Sequence, residues 1–384
     1  MKVLQRVITS REDALRAIKK IGVEPIMEKK LAEKTRFSVL EIQDVPCPAA
    51  TIIKQVAISR GSDAVVNKKV IVSGVRESTV LLPGTIRELK LIAEELKKQT
   101  FGLPEVGDEI LQILEKKDKK KGFAIIGVLN LTPDSFSDGG DYFKEEDAKR
   151  RFKEMIKEGA DIIDVGAESS RPDSDRVAIK EELRRLEPVF PLFKEGSIPV
   201  SIDTYKSEVA RRAISKGASI VNDVSALRMD DKMVDVIGDF GMKVILMHMK
   251  GTPKTMQKKP FYDDVIKEIM DFFEERIEFC LSHGILEDKI ILDPGIGFGK
   301  RQIDNLTILA RLEEFTNLGF PILIGTSRKS FIGNITGKDP KERIHGSIAT
   351  VVYSYLKGAS IFRVHDVSET KDALSVITCI ENPE

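Results

Sequence analysis

The sequence predicts an α/β protein: a (β/α)8 TIM barrel preceded by a small α/β N-terminal domain. Three observations carry that prediction. Beyond a charged run, apolar segments of strand length alternate eight times with amphipathic segments of helix length, the rhythm of parallel strands joined by helical crossovers. Gly159, Gly217, Gly241, Gly284, Gly319 and Gly358 each stand just before a new strand, where a helix end calls for a left-handed residue. The repeating stretch is roughly 260 residues long, the size of a closed barrel.

Residues 1–115 form the first domain. Ser10 with Asp13 reads as a helix start, with Ala14, Leu15, Ile18 and Ile21 as an apolar stripe behind it. "SDAVV" and "KKVIVSG" read as strands, and Ile86, Leu89, Ile92 and Leu96 make a second helical stripe. No phosphate loop, metal spacing or nucleophile motif stands out here, so a packing or oligomerisation role is expected. The run "EKKDKKKG" from Glu115 to Gly122 resists burial and marks a charged linker at 116–121. The barrel then occupies 122–384. Its strands are expected at "GFAIIGVLN", "DIIDVGAES", "VSIDT", "SIVNDVS", "KVILMHM", "KIILDPG", "PILIGTS" and "SIFRVHD". The first intervening helix places Ala148, Phe152, Met155, Ile156 and Gly159 on one face and its charges on the other.

Composition narrows the function. The chain has 384 residues, 41% of them hydrophobic, and 61 Lys plus Arg balance 61 Asp plus Glu, so there is no basic excess for bulk nucleic-acid binding. No apolar run approaches the roughly 18 residues of a membrane span. The start "MKVLQRVITSRED" lacks the apolar core of a signal peptide, and a cytoplasmic location is expected. Cys47, Cys280 and Cys379 lie far apart, which predicts packed thiols rather than a disulfide framework or a zinc site.

Catalytic groups of such barrels gather at the C-terminal ends of the strands. Taken in order, those ends carry Asn130, Glu168 with Arg171, Asp203, Asn222 with Asp223, His248, Asp293, Ser327 with Arg328 and Lys329, and Arg363 with His365. A lone Asp203 can be a helix cap and a lone Asp293 a turn residue, but polar groups at every strand end are costly to leave without a ligand. Asp203, Asn222 and Asp293 offer acceptors and an amide for a flat heterocycle with N–H donors, and Lys329 adds a donor. Arg171, Arg363 and His365, with Asn130 and the Ser170 hydroxyl, suit an anion such as a diphosphate bridged by magnesium. In "DPGIGFGK", Gly295, Gly297 and Gly299 would let backbone approach a flat ring.

The series "GVLNLTPDSFSDGG", "ESSRP", "SIDT", "NDVS", "LMHMKG", "DPGIGFGK", "GTSRKSF" and "FRVHDV" resembles, in order, the motifs of the dihydropteroate synthase family across 122 to 384. The resemblance implies an alkyl transferase of folate biosynthesis that joins 6-hydroxymethyl-7,8-dihydropterin diphosphate to 4-aminobenzoate. It implies pterin contacts from Asp203, Asn222, Met247, Asp293, Gly297, Phe298 and Lys329. Asn130, Ser170, Arg363 and His365 are implied for the diphosphate, with Asn130 on Mg2+, and Phe136, Arg171 and Ser330 for the aminobenzoate. The groups expected at the reacting centre are Asn130, Lys329, Arg363 and His365. The family's loop reads Glu-Ser-Thr-Arg-Pro-Gly, whereas this chain has Asp173 in place of the glycine. A homodimer is also expected, with no nucleic-acid or membrane partner. The N-terminal domain is an extension that the resemblance leaves unexplained.

This reading gives the polar stretch "NLTPDSFSDGG" a purpose. The reacting bond joins a methylene on an electron-rich ring to a diphosphate, so neutralising leaving-group charge and excluding water matter more than an activated nucleophile. Asn130 meets the metal, the glycine-hinged loop covers the site, and Asp134 and Asp138 order it. Three other functions compete. A corrinoid-linked methyltransferase acting on a reduced pterin would need the Asp, Asn, Asp set but not Asn130, Arg363 and His365. An aldolase would need Lys329 as a Schiff base, and an inactive scaffold would need none of the set.

Overall fold

The computed structural model describes residues 1–4, 6–8, 10–116, 122–132, 141–169, 176–195 and 198–381. They divide into two compact units, Met1–Lys120 and Lys121–Glu384.

In the first unit, Ser10 caps the helix Arg11–Ile21 by accepting from the Asp13 N–H at 3.0 Å. Ala14 and Ile18 of its stripe are buried, while Ile21 at the end is exposed. The helix Ile86–Leu96 opens with a reciprocal capping box between Thr85 and Glu88 and buries Ile86, Leu89, Ile92 and Leu96. The strands differ from expectation. They are β1 (Phe37–Pro46) and β2 (Glu77–Thr85), paired antiparallel from Phe37 opposite Thr85 to Pro46 opposite Glu77. "SDAVV" contributes a single bridge, Val65 with Leu81, and "KKVIVSG" is a run of turns closed by Gly74 N–H on the Lys69 carbonyl at 2.9 Å. Both real strands carry prolines, Pro46 and Pro83, which argue against a central strand. A small two-stranded sheet has no central strand, so the prolines cost little. In β2 alternation decides the matter: Ser78, Val80, Leu82 and Gly84 face inward.

The second unit is an eight-stranded parallel sheet with the strand order 8-7-6-5-4-3-10-9. Its strands are β3 (Ala124–Asn130), β4 (Ile162–Gly166), β5 (Val200–Asp203), β6 (Ile220–Asp223), β7 (Lys243–Met247), β8 (Ile290–Asp293), β9 (Leu323–Ile324) and β10 (Ile361–Val364). Each lies within a predicted segment. A single bridge between Leu292 and Ile322 joins the two ends, with Leu292 N–H on the Pro321 carbonyl at 3.0 Å, and makes the sheet a barrel.

Side chains alternate across each strand. Ile126, Ile220, Ile245, Ile291, Leu323 and Ile361 pack inside the barrel, while Ile125, Ile163, Ile202, Val244 and Phe362 pack outward with Phe152, Phe273 and Phe315 of the surrounding shell. Ala148, Phe152 and Met155 are buried on the first helix as their spacing predicts, and all six marker glycines have positive φ, from 62° at Gly241 to 120° at Gly217. Cys47 and Cys280 are buried thiols, but Cys379 is exposed on the final helix Val367–Glu381, against the expectation of packing. No described helix is long and apolar enough to cross a membrane.

Candidate active site

Two or four residues beyond four of the apolar plug residues, the same inward face turns polar. Ile126 leads to Val128 and Asn130, Ile220 to Asn222, Ile291 to Asp293, and Ile361 to Arg363 and His365. At this end of the barrel Asp203, Asn222, Asp293, Lys329, Arg363 and His365 line one pocket, with Val128, Val224, Met247 and Phe298 as its apolar wall.

A residue in the middle of a strand ties this set together. Asp164 of β4 is buried, and its Oδ2 accepts from Arg363 Nε at 2.7 Å and from Asn222 Nδ2 at 3.1 Å. Arg363 Nη2 reaches Asp203 Oδ2 at 2.7 Å. Asp164 Oδ1 and the hydroxyl of its register neighbour Ser201 are buried and have no partner among the described residues, one an acceptor and the other able to donate or accept. Burial pushes the Asp203 carboxyl up to about 7, against the Arg363 charge and with the aid of Asp164 and other carboxylates nearby. One guanidinium serving two buried carboxylates leaves a net negative trio, so holding a proton is favourable. Burial opposes the charge on Arg363, but Asp164 and Asp203 outweigh it and raise its pKa.

The loop after β8 supplies the opposite wall. Asp293 Oδ1 accepts the Gly295 N–H at 2.7 Å, and burial raises its pKa against that bond and the charge of Lys329. Lys329 Nζ donates to the Ile296 carbonyl at 2.6 Å and stands 4.0 Å from the centre of the Phe298 ring. Burial lowers the Lys329 pKa to about 8, opposed by Asp293. The glycines also serve the packing of the loop itself. A Cβ on Gly295 would lie 2.0 Å from the His248 carbonyl oxygen and one on Gly299 2.5 Å from that of Lys250, so their smallness lets two loops touch. Gly297, whose Cβ would meet the Lys329 stem at 3.1 Å, faces that lysine.

His365 Nδ1 lies 3.0 Å from Ser327 Oγ. Burial and the Arg363 charge bring the His365 pKa down to about 4, so its ring is neutral near pH 7. Asn130 ends β3 half-buried, opposite Gly166, and its side chain has no partner among the described residues. Among those residues no cluster of His, Cys, Asp and Glu could hold a metal ion. One amide oxygen still suits magnesium, which keeps waters and phosphate oxygens as its other ligands.

Ser330 is exposed at the start of the helix Ser330–Thr336. Phe136, Ser170 and Arg171, with Asp134, Asp138 and Asp173, lie outside the described residues. The remaining strand-end groups are engaged by protein: Glu168 by Lys206 and Tyr205, Asp223 by Ser225 and Leu227, and Arg328 by Asp366.

A parallel barrel whose C-terminal rim sets carboxylates, an amide and a lysine around an apolar wall defines a (β/α)8 protein with a binding site for a flat, polar-edged small molecule. The sequence profile of the pterin binding enzymes matches residues 126–365. Dihydropteroate synthase from Escherichia coli is 45% identical over 254 residues, 66% of this chain and 90% of that protein. The Synechocystis enzyme of the same name is 46% identical over 245 residues, 63% of this chain and 85% of that protein. Among solved structures, Xanthomonas albilineans dihydropteroate synthase with 4-aminobenzoic acid matches at TM-score 0.65 and 42% identity, covering 68% of this chain and 94% of that one. The same enzyme with 7,8-dihydropteroate matches at 0.63 and 39%, covering 69% and 96%. The chain belongs to the pterin binding enzyme family, among the dihydropteroate synthases, and the first unit is additional to the matched region.

Proposed function

We propose that the barrel joins 6-hydroxymethyl-7,8-dihydropterin diphosphate to 4-aminobenzoate, releasing diphosphate and 7,8-dihydropteroate, the dihydropteroate synthase step of folate biosynthesis (EC 2.5.1.15). The observation that carries this reading is the meeting of Asp203, Asn222, Asp293 and Lys329 with the Met247 and Phe298 wall in one pocket. Carboxylates accept from the ring N–H and amino groups, Asn222 and Lys329 read the remaining edge, and Phe298 and Gly297 lie along the ring face.

In the reaction the amine lone pair forms a bond to the pterin methylene carbon. The C–O bond breaks, its electrons leave with the diphosphate, and the amine gives up a proton. Arg363 keeps its charge throughout, and its Nη1, which no described residue engages, can meet the diphosphate. The neutral His365 offers a ring N–H to the same oxygens, oriented by Ser327. Mg2+ held by Asn130 would neutralise leaving-group charge when bound. Ser170 is assigned to the diphosphate and Phe136, Arg171 and Ser330 to the aminobenzoate, support for which comes from the motif series. Exposed Tyr353, Leu356, Val376 and Ile380 on the helices Ile344–Leu356 and Val367–Glu381 support a homodimer, and a cytoplasmic location suits a soluble biosynthetic enzyme. The test is direct: purified protein with pterin diphosphate, magnesium and 4-aminobenzoate should release diphosphate and dihydropteroate, and no product under those conditions would reject the assignment.

A further inference from the structure

Lys300 ends the motif "DPGIGFGK" and has no part in the chemistry above. Its ammonium is buried, and each of its three N–H bonds meets an acceptor: His248 Nδ1 at 2.9 Å, the His248 carbonyl at 3.2 Å and the Phe298 carbonyl at 3.1 Å. While charged, the ammonium can only donate, so Nδ1 accepts and the imidazole proton sits on Nε2. The pKa of His248 is held well below its ordinary value by burial and by Lys300, so the ring stays neutral. Burial, opposed by Asp293, lowers Lys300 itself to about 7. A buried cation of this kind is expensive, and a methionine would fill the same space without the desolvation cost. Its location is what distinguishes it. His248 directly follows Met247 and Lys300 reaches back to Phe298, and both Met247 and Phe298 line the pocket. The glycine loop is also pinned elsewhere, with Gly297 N–H on Asn305 at 2.7 Å, Gln257 on the Gly297 carbonyl at 2.9 Å and the Tyr262 hydroxyl on the Gly299 carbonyl at 2.8 Å. Lys300 is the side chain that joins the Phe298 carbonyl to that of His248.

We propose that Lys300 is a positioning residue for the pterin, its ammonium setting the spacing of the Met247 and Phe298 walls that receive the ring. The inference rests on the pterin-site reading above. It is tested in the full chain by steady-state kinetics of wild type, K300M and H248L, with thermal unfolding to verify folding. K300M should raise the Michaelis constant for pterin diphosphate by about tenfold or more, the loss expected when a charged donor leaves two carbonyls unmet. Its kcat should stay within about threefold and the aminobenzoate constant should not move, a split that a general loss of structure would not produce. H248L keeps both carbonyl ties and should raise the pterin constant only about two- to threefold; it carries the test alone if K300M does not fold. An unchanged pterin constant in a folded K300M, or in H248L where that stands alone, overturns the inference, as do both substrate constants and kcat falling off together. If wild type itself makes no product and binds no pterin diphosphate, the pterin-site reading has failed instead.

Discussion

Arg363 and Asp203 are joined by a 2.7 Å contact between Nη2 and Oδ2, while the same guanidinium holds Asp164 through Nε at 2.7 Å. The residue assigned to the diphosphate is thus braced by a residue assigned to the pterin. If those assignments hold, this contact links substrate recognition at one end of the pocket to leaving-group chemistry at the other.

The shared cation has a consequence for stability. Asp203 rises from 3.8 to about 7 through burial, with Arg363 opposing and Asp164 assisting. A raised carboxyl pKa means that the folded state binds the proton more tightly, so stability is lost as pH climbs through this window and the penalty is complete above it. Asp203→Asn should therefore unfold at a higher temperature than wild type at pH 8, with the gap shrinking as pH falls toward 4, while pterin binding is lost. A gap of the same size at both pH values would contradict the assignment.

Asp293 has one oxygen on the Gly295 N–H and the other available to the ring. Asp293→Asn replaces an acceptor with a donor facing ring N–H groups, so the pterin Michaelis constant should rise about tenfold or more. Steady-state kinetics that match wild type would remove Asp293 from the site.

Lys329, lowered to about 8 by burial against the pull of Asp293, donates best when charged. The kcat/KM for pterin diphosphate should accordingly decline as pH rises through about 8, since this parameter reports the free enzyme. Lys329→Arg should be slower and lack that limb, and the same limb in the variant would assign it to another group.

Chelation of magnesium should slow turnover and weaken binding of pterin diphosphate, while the unphosphorylated dihydropterin still binds. Calorimetry with both ligands, with and without EDTA, separates the cases; equal loss of both would point to a structural metal. Asn130→Ala should reproduce the selective loss.

The barrel was readable because its signals are local. Apolar runs, helical stripes and glycines such as Gly217 and Gly241 report on backbone geometry within a few residues, and the strand-end polar groups Asp203, Asn222, Asp293 and Lys329 do share a pocket. Asp164 is hard to recognise as a site residue because it lies mid-strand in "IIDVG", where an apolar residue is expected. The available signal was parity: Asp164 lies two residues before Gly166, on the face that points inward. The packing role of Gly295 and Gly299 is not legible because the carbonyls they meet, His248 and Lys250, come from a separate loop about 50 residues away. The N-terminal strands were misplaced because Pro46 and Pro83 obscure an alternation that only pairing discloses.

Adjacent barrel strands such as β3 and β4 share five register positions, but β8 meets the segment before β9 at the single pair Leu292 and Ile322. A ladder of one bridge is where a closed cylinder opens at least cost. Hydrogen exchange at the Leu292 amide should therefore outpace that at the centres of β4 and β5, and the seam lies one residue from Asp293. The carboxylate proposed to read the pterin is mounted on the stave most able to breathe, and an occupied pocket should clasp the cylinder shut.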